Sequence, residues 1–303
     1  MSNTTRTNTG LEDIPNQRRA RPEPFAPTSI GKLALILMAW GMMLLQASVA
    51  TAQTAAATKK PNDGQELAKQ LSNPVASLIS VPFQSNFDFR MGSGSGWRYT
   101  LNFQPVIPVA INKEWNLISR TVVPIIHQAK VTAANASESG LGDVVQSIFI
   151  SPNKTKPFIW GVGPAVSIPT ATNGAFASKQ LGLGPTGVIL KQQGLVTYGA
   201  LVNHIWRVAG STTRARVNTT YLQPFIAYTT KDAWTYSANT ESIYNWTAKS
   251  WSVPVNLTVA KLVKLGKQRV SIGGGLRCWA TSPNGGAKGC GLRFVFQPVF
   301  PKK

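Results

Sequence analysis

The feature that most constrains this fold is the alternation of apolar and polar residues over stretches of about ten positions. One such stretch, "GWRYTLNFQPVIPVAIN", occupies residues 96–112. Because the side chains of a β-strand point alternately to its two faces, the pattern predicts a strand with one apolar and one polar face. The apolar face carries Trp97, Tyr99, Leu101, Phe103, Pro105, Ile107 and Val109, and the polar face carries Arg98, Thr100, Asn102 and Gln104.

The same pattern recurs to the C-terminus. It predicts strands at residues 78–90, 97–109, 115–126, 141–151, 157–169, 180–191, 195–208, 216–229, 233–246, 250–263, 268–281 and 289–300. Tight connections at residues 111–114, 191–194 and 230–232 alternate with longer loops at residues 127–140, 170–179 and 209–215. Such a chain is typical of an all-β, up-and-down antiparallel transmembrane β-barrel of about twelve strands, with both termini in the periplasm.

A soluble β-sandwich would also alternate, so the composition of the polar face has to distinguish the two folds. In residues 251–259, 269–280 and 291–300, no Lys or Arg falls on the apolar face, and the polar face holds mainly small or uncharged residues. That composition favours a barrel lumen over an open aqueous surface, which leaves lipid as the partner of the apolar face.

Aromatic residues and prolines qualify this prediction. The aromatic residues near strand ends are expected to form girdles at the membrane interface, with core packing as the alternative: Trp97, Tyr99, Trp115, Trp160, Trp206, Trp234, Tyr244, Trp246 and Trp251. Each proline inside a strand removes a hydrogen-bond donor that lipid cannot replace, so bulges, strand ends or donors from neighbouring Gln side chains are expected there. These prolines are Pro105, Pro108, Pro124, Pro164, Pro185, Pro224, Pro254 and Pro298.

The first 52 residues differ from the rest. Basic residues precede the apolar run "LALILMAWGMMLL" at residues 33–45, and Ala50, Thr51 and Ala52 then form a small-x-small site. The run is shorter than the about 20 residues that a spanning helix needs, so the layout favours a cleaved signal peptide at residues 1–52 over a permanent anchor. A periplasmic tether is predicted at residues 53–77, with a short helix around residues 66–71, and the barrel at residues 78–303.

The chain is strongly basic, with 31 Lys or Arg against 11 Asp or Glu. Without residues 1–52 it keeps 26 basic and eight acidic residues, a formal charge of about +18. A nucleic-acid partner would require basic residues interleaved with aromatic ones on one face, but many of these lie in short connections such as "SPNKTKP" and "KLGKQR". The predicted partners are therefore outer-membrane lipid and a small-molecule solute, with no nucleic acid.

The sequence predicts no enzyme, no cofactor and no metal site. His127 in "IIHQAK" and His204 in "VNHIW" lack an obvious Ser partner in their own strands, although another strand could supply one. The glycines at residues 273–275 and the segment "GVGP" lack the Lys and the helix that a phosphate loop needs. Two Cys and two distant His make no zinc ligand set.

Several segments carry a resemblance to a known family. They include "LAKQLSNPVASLISVPFQSNFDF", "QPVIPVAINKEWNLISRTVVPII", "YGALVNHIW" and "KLGKQRVSIGGGLRCWATSPNGGAKGCGLRF". Over residues 66–302 the chain resembles the bacterial outer-membrane transporter family labelled for the meta-pathway of phenol degradation, sometimes mislabelled "neuromedin U". The resemblance implies an outer-membrane barrel that passes small molecules, aromatic ones among them, but family membership does not establish transport.

Two cysteines depart from the pattern of that family, which carries aromatic residues in their place. Cys278 and Cys290 lie symmetrically about Asn284 in the last predicted hairpin, and strand parity places both on one face. Opposed cysteines in an oxidising compartment favour a disulfide. The alternative is that they are unpaired, lipid-facing replacements for the aromatic residues.

Strand parity also assigns a set of polar side chains to the lumen. It contains Gln84, Asn86, Asp88, Arg98, Asn102, Gln104, Arg120, Glu241, Arg277 and Arg293. Asp88 and Arg98 flank the turn "MGSGSG" and are expected to face each other across strands. Four Arg against two carboxylates predict a lumen that favours anionic solutes. The alternative is that internal ion pairs fill a narrow barrel, which would then be a closed structural or surface-interaction protein.

Overall fold

The computed structural model describes residues 63–133, 136–153 and 157–300. The predicted signal peptide and the first ten residues of the predicted tether lie outside the described residues. One helix, α1 (Asp63–Leu71), precedes the strands. These are β1 (Ile79–Ser80), β2 (Phe83–Met91), β3 (Gly96–Phe103), β4 (Val106–Ala110), β5 (Trp115–Ala129), β6 (Ser137–Leu141), β7 (Val144–Pro152), β8 (Ile159–Ile168), β9 (Gln180–Gln193), β10 (Val196–Gly210), β11 (Asn218–Thr229), β12 (Trp234–Thr240), β13 (Ser242–Asn245), β14 (Ser250–Leu265), β15 (Gln268–Thr281) and β16 (Gly289–Phe300).

Strand pairing joins these segments into twelve long antiparallel strands. The pairs β1 and β2, β3 and β4, β6 and β7, and β12 and β13 are each two halves of one strand, because both halves pair with the same neighbouring strand. The last strand, β16, pairs with β1 and β2, which closes the sheet. The predicted all-β, twelve-strand up-and-down barrel is confirmed.

Prolines account for the interrupted strands. Pro82 separates β1 from β2, and Pro105 separates β3 from β4 in the adjacent strand. Pro254 of β14 lies opposite Glu241, the residue between β12 and β13, and its carbonyl oxygen accepts a hydrogen bond from the Glu241 amide at 3.4 Å. Because proline has no N–H to donate, the regular ladder stops beside it.

Some predicted strand bounds are therefore wrong. The strands predicted at residues 78–90, 97–109 and 233–246 are not continuous, because the ladder is interrupted at Pro82, Pro105 and Glu241. The strand predicted at residues 141–151 is interrupted at residues 142–143, between the end of β6 and the start of β7. The loop predicted at residues 127–140 is shorter, since β5 continues to Ala129 and β6 begins at Ser137.

The outward face of the barrel is apolar. Leu257 of β14 and Phe294 of β16 are 52% and 50% exposed. Their neighbours in sequence, Thr258 and Arg293, point the other way and line an internal cavity. In water these apolar side chains would be unfavourably exposed, whereas in a membrane they would contact hydrocarbon. The outward face of this closed barrel is therefore suited to lipid.

Large aromatic side chains lie near the strand ends on this face. Trp206, Trp234, Trp246 and Trp251 are between 38% and 51% exposed, so core packing does not explain them. Tyr244 packs between the last two, with its ring centroid 4.8 Å from that of Trp246 and 4.9 Å from that of Trp251. The placement is the one that interface girdles require.

The N-terminal segment (residues 63–78) closes the end of the barrel where β1 begins and β16 ends, here called the terminal end. Helix α1 carries Asp63 and Glu66 in its first turn and Lys69 in its last, which suits the helix dipole. Its buried Leu67 and Ala68 join a cluster with Ala76, Leu78, Ala233, Leu262 and Val299. No helix in the described ranges is long and apolar enough to cross a membrane.

Candidate functional site

A charged network lies inside the lumen against one side of the barrel wall, on the consecutive strands from β2 through β16, β15 and β14 to β12. Its members are Asp88, Glu241, Arg277 and Arg293. Arg293 donates twice to Glu241, from Nη1 to Oε1 at 2.9 Å and from Nη2 to Oε2 at 2.7 Å. Arg277 donates from Nη1 to Glu241 Oε2 at 2.8 Å and from Nε to Asp88 Oδ1 at 3.1 Å. Two guanidinium groups and two carboxylates leave the network electrically balanced.

Neutral side chains complete the hydrogen bonding of this network. Arg293 Nε donates to Asn86 Oδ1 at 2.8 Å, and Arg277 Nη1 donates also to Asn256 Oδ1 at 3.1 Å. The Trp279 indole donates to Asp88 Oδ1 at 2.7 Å, and the Arg277 guanidinium lies 5.0 Å from its ring centroid. In the described part of the chain every buried side-chain nitrogen or oxygen has a partner. A network satisfied in this way is rigid, and loss of one member is costly.

A glycine lies opposite each of the two network arginines in the sheet. Across the β15–β16 ladder, Arg277 lies opposite Gly291 and Arg293 lies opposite Gly275. A Cβ at Gly291 would meet the carbonyl oxygen of Phe87, and a Cβ at Gly275 would meet that of Leu257, so each glycine allows close approach of the strand on its other side. In the local segments "GGGLRC" and "GCGLRF" both arginines have the strand parity of these glycines, and both guanidinium groups reach Glu241.

The charged network lies between two chambers that share no lining residue. The loop-side chamber has a volume of about 370 Å³ and is lined by Asp88, Arg98, Asn102, Arg277 and Trp279, among others, beneath the hairpin at residues 282–287. The terminal-side chamber has a volume of about 260 Å³ and is lined by Gln84, Gln104, Arg120 and Arg293. The N-terminal segment forms its floor.

The predicted facing pair is found, but its two members make their hydrogen bonds to other residues. Asp88 and Arg98 are register partners of β2 and β3. Asp88 nevertheless pairs with Arg277, while Arg98 Nε donates to Gln128 Oε1 at 2.8 Å. Arg120 Nη2 likewise donates to a neutral group, Gln104 Oε1, at 3.0 Å. Within the described residues neither Arg98 nor Arg120 lies within 4 Å of a carboxylate oxygen.

Three residues that contact the predicted lumen set were not identified from the sequence. Trp279, Asn256 and Gln128 contact the predicted set but were not assigned to it. Trp279 shares strand parity with Arg277, so the signal for its position in the lumen was available in the sequence. Gln128 shares the parity of Arg120 and was hidden by the overlong predicted loop.

Cys278 and Cys290 are joined by a disulfide. They are register partners of β15 and β16 near the loop end, the end opposite the terminal one. Both share strand parity with Leu276 and Leu292, which are exposed on the outward face. The disulfide therefore ties the last hairpin together from outside the lumen.

His127 has a serine partner from the neighbouring strand. Its Nδ1 lies 2.6 Å from Ser139 Oγ, and the ring packs against Trp97. His204 contacts Thr220 and Asn218. Among the described residues no carboxylate forms a hydrogen bond with either histidine. The described residues hold no group of three His, Cys, Asp or Glu side chains suited to a metal ion.

A solved outer-membrane channel has a similar fold. The COG4313 outer membrane channel from Pseudomonas putida F1 is 12% identical, with a TM-score of 0.57 over 74% of this chain and 94% of that one. A bacterial polysaccharide outer membrane secretin and a Pseudomonas aeruginosa FadL homologue are each 9% identical. Their TM-scores are 0.36 and 0.38, over 76% and 77% of this chain and 100% and 93% of theirs, and no argument rests on them. No family model matches the sequence, and no curated protein matches it either.

Proposed function

We propose that the protein is an outer-membrane channel or transporter for small solutes, exported by a cleaved signal peptide. The observation that carries this proposal is a polar lumen with two internal chambers inside a barrel whose outward face is apolar. The shared fold with a protein described as an outer membrane channel supports it. Because outer-membrane barrels of this kind keep both chain termini in the periplasm, the terminal end faces the periplasm and the loop end faces the outside of the cell.

The lumen charge favours anionic solutes. The charged network is balanced, so it adds no net charge. Arg98 in the loop-side chamber and Arg120 in the terminal-side chamber both contact neutral groups. Glu138 accepts a hydrogen bond from Gln128, the partner of Arg98, and therefore lies near that guanidinium. Arg120 adds one positive charge that no carboxylate within 4 Å offsets. Positive side chains along a pore raise the local concentration of anions. The expectation that aromatic solutes are among those transported rests only on the family resemblance of residues 66–302.

A closed structural barrel is the second candidate function. It is favoured by the charged network, whose side chains are at most 16% exposed, and by the N-terminal segment beneath it. Such a barrel would hold its ion pairs as internal filling and act through its loops. No catalytic group is required by either function.

Single-channel recording separates the two candidates. The refolded chain without its first 52 residues is reconstituted in planar bilayers, and the reversal potential is measured under a KCl gradient. Stepwise, anion-selective current is expected, with lower selectivity in Arg98→Gln and Arg120→Gln. Arg216→Gln is the matched control, because Arg216 is exposed before β11 and lines neither chamber. A folded barrel without current would instead support the closed barrel.

A further inference from the structure

The terminal-side chamber has a one-sided charge. Its lining includes two guanidinium groups, those of Arg120 and Arg293, and no Asp or Glu. The rest of the polar lining is neutral and consists mainly of Gln, Asn and Ser side chains. The two arginines are therefore the only charged groups that a solute in this chamber would meet among the described residues.

Only one of these arginines is available to a solute. Arg293 is 2% exposed, and all three of its guanidinium nitrogens are engaged with Glu241 and Asn86. Arg120 is half-buried. Among the described residues its guanidinium donates one side-chain hydrogen bond, from Nη2 to Gln104 Oε1. A guanidinium carries five N–H donors, so Arg120 keeps several for a solute or for water.

The same chamber also offers apolar contact. Leu71 and Leu78 of the N-terminal segment, together with Phe225 of β11 and Val295 of β16, line it beside the polar groups. A cavity of about 260 Å³ with one available cation and apolar walls is complementary to a small molecule that has an anionic head and an apolar body.

We propose that the terminal-side chamber is a binding site for small monocarboxylates with an apolar body, and that Arg120 holds the carboxylate. This inference rests on the proposed channel function and names its solute class. A planar guanidinium matches a carboxylate with two parallel hydrogen bonds. A doubly charged phosphate group would require a second cation, and Arg293 is already committed to Glu241. The neighbouring Gln104 side chain holds Arg120 in place from one side.

Binding to the chamber is measured by calorimetry, separately from the bilayer recording that measures conduction. Isothermal titration calorimetry on the folded mature protein in detergent uses cyclohexanecarboxylate, its neutral carboxamide and inorganic phosphate as probes. Saturable binding of the carboxylate is expected, with the carboxamide and phosphate at least about tenfold weaker, which corresponds to roughly 1.4 kcal/mol. Arg120→Gln should lose at least about the same factor, since a charge-assisted pair is removed. Arg120→Lys should retain part of the affinity, and Arg216→Gln should retain all of it.

Each outcome is informative. Equal binding of carboxylate and carboxamide, or undiminished binding in a folded Arg120→Gln protein, would overturn the site. Equal binding of phosphate would overturn the assigned solute class. If Arg120→Gln does not fold, the comparison of the probes on the unmodified protein decides. Binding without bilayer current would support the site while contradicting the channel, whereas current without binding would do the reverse.

Discussion

Arg293 of β16 and Glu241 between β12 and β13 form a two-point ion pair inside the barrel, with nitrogen–oxygen distances of 2.9 and 2.7 Å. Only 2% of the Arg293 side chain is exposed. The pair links strands that lie three ladders apart, because β15 and β14 come between them in the sheet. It therefore braces this side of the barrel wall from within the lumen.

Neutralising Glu241 should destabilise the barrel. Glu241→Gln leaves Arg293 and Arg277 buried with only Asp88 to offset them. Loss of one partner of a buried ion pair typically costs about 3–5 kcal/mol, and a loss in that range is expected in the free energy of unfolding. Urea denaturation followed by tryptophan fluorescence measures it. Glu114→Gln, at an exposed turn, should stay within about 0.5 kcal/mol of the unmodified protein. Equal losses in the two variants would contradict a bracing role.

Asp88 and Arg98 should act on ion selectivity in opposite directions. They are register partners that line the loop-side chamber. Asp88→Asn keeps an oxygen for the Trp279 indole and removes a negative charge, so anion selectivity should rise. Arg98→Gln should lower it. A unit charge near a hydrated path is worth on the order of 1 kcal/mol, so changes of up to about fivefold in the permeability ratio are expected. Reversal potentials measure both, and shifts in the same direction would contradict the lumen assignment.

Period-two alternation was sufficient to predict the barrel, because one face of each strand must meet lipid and the other the lumen. It could not predict where the ladder stops. Pro82 lies outside the prolines singled out, and Glu241 is not itself a strand breaker; its interruption comes from Pro254 on the neighbouring strand. Such effects depend on register, which parity alone does not contain.

The same limit applies to the candidate site. Parity selected Asp88, Arg277 and Arg293 for the lumen, yet it paired Asp88 with its cross-strand neighbour Arg98. In the structure Arg277 and Asp88 are separated by β16 in the sheet and meet across the curvature of the wall. Contacts across a closed lumen depend on barrel diameter and stagger, and a strand-by-strand pattern carries neither.

Removing the disulfide should weaken the last hairpin. Cys278 and Cys290 close a loop with a sequence separation of 12 residues, and loop-closure entropy for this length predicts a stabilisation of about 2–3 kcal/mol. Cys278→Ala/Cys290→Ala should therefore unfold at lower urea than the oxidised protein. The reduced, unsubstituted protein serves as the control and should show a similar loss. If neither differs from the oxidised protein, the ladder between β15 and β16 alone would account for the stability of the hairpin.

Deleting residues 63–77 should open the terminal end. This segment forms the floor of the terminal-side chamber and is held there by Leu67 in one apolar cluster, by Val75 in a second, and by a 2.6 Å hydrogen bond from Asn116 Nδ2 to Ser77 Oγ. Without it the chamber loses one wall, so single-channel conductance should increase while the strands remain paired. Leu67→Asn, which weakens only the first cluster, should give brief openings of the larger size within the smaller current. Circular dichroism verifies that each variant is folded. Unchanged conductance in a folded deletion variant would mean that the segment lies beside the conducting path and does not obstruct it.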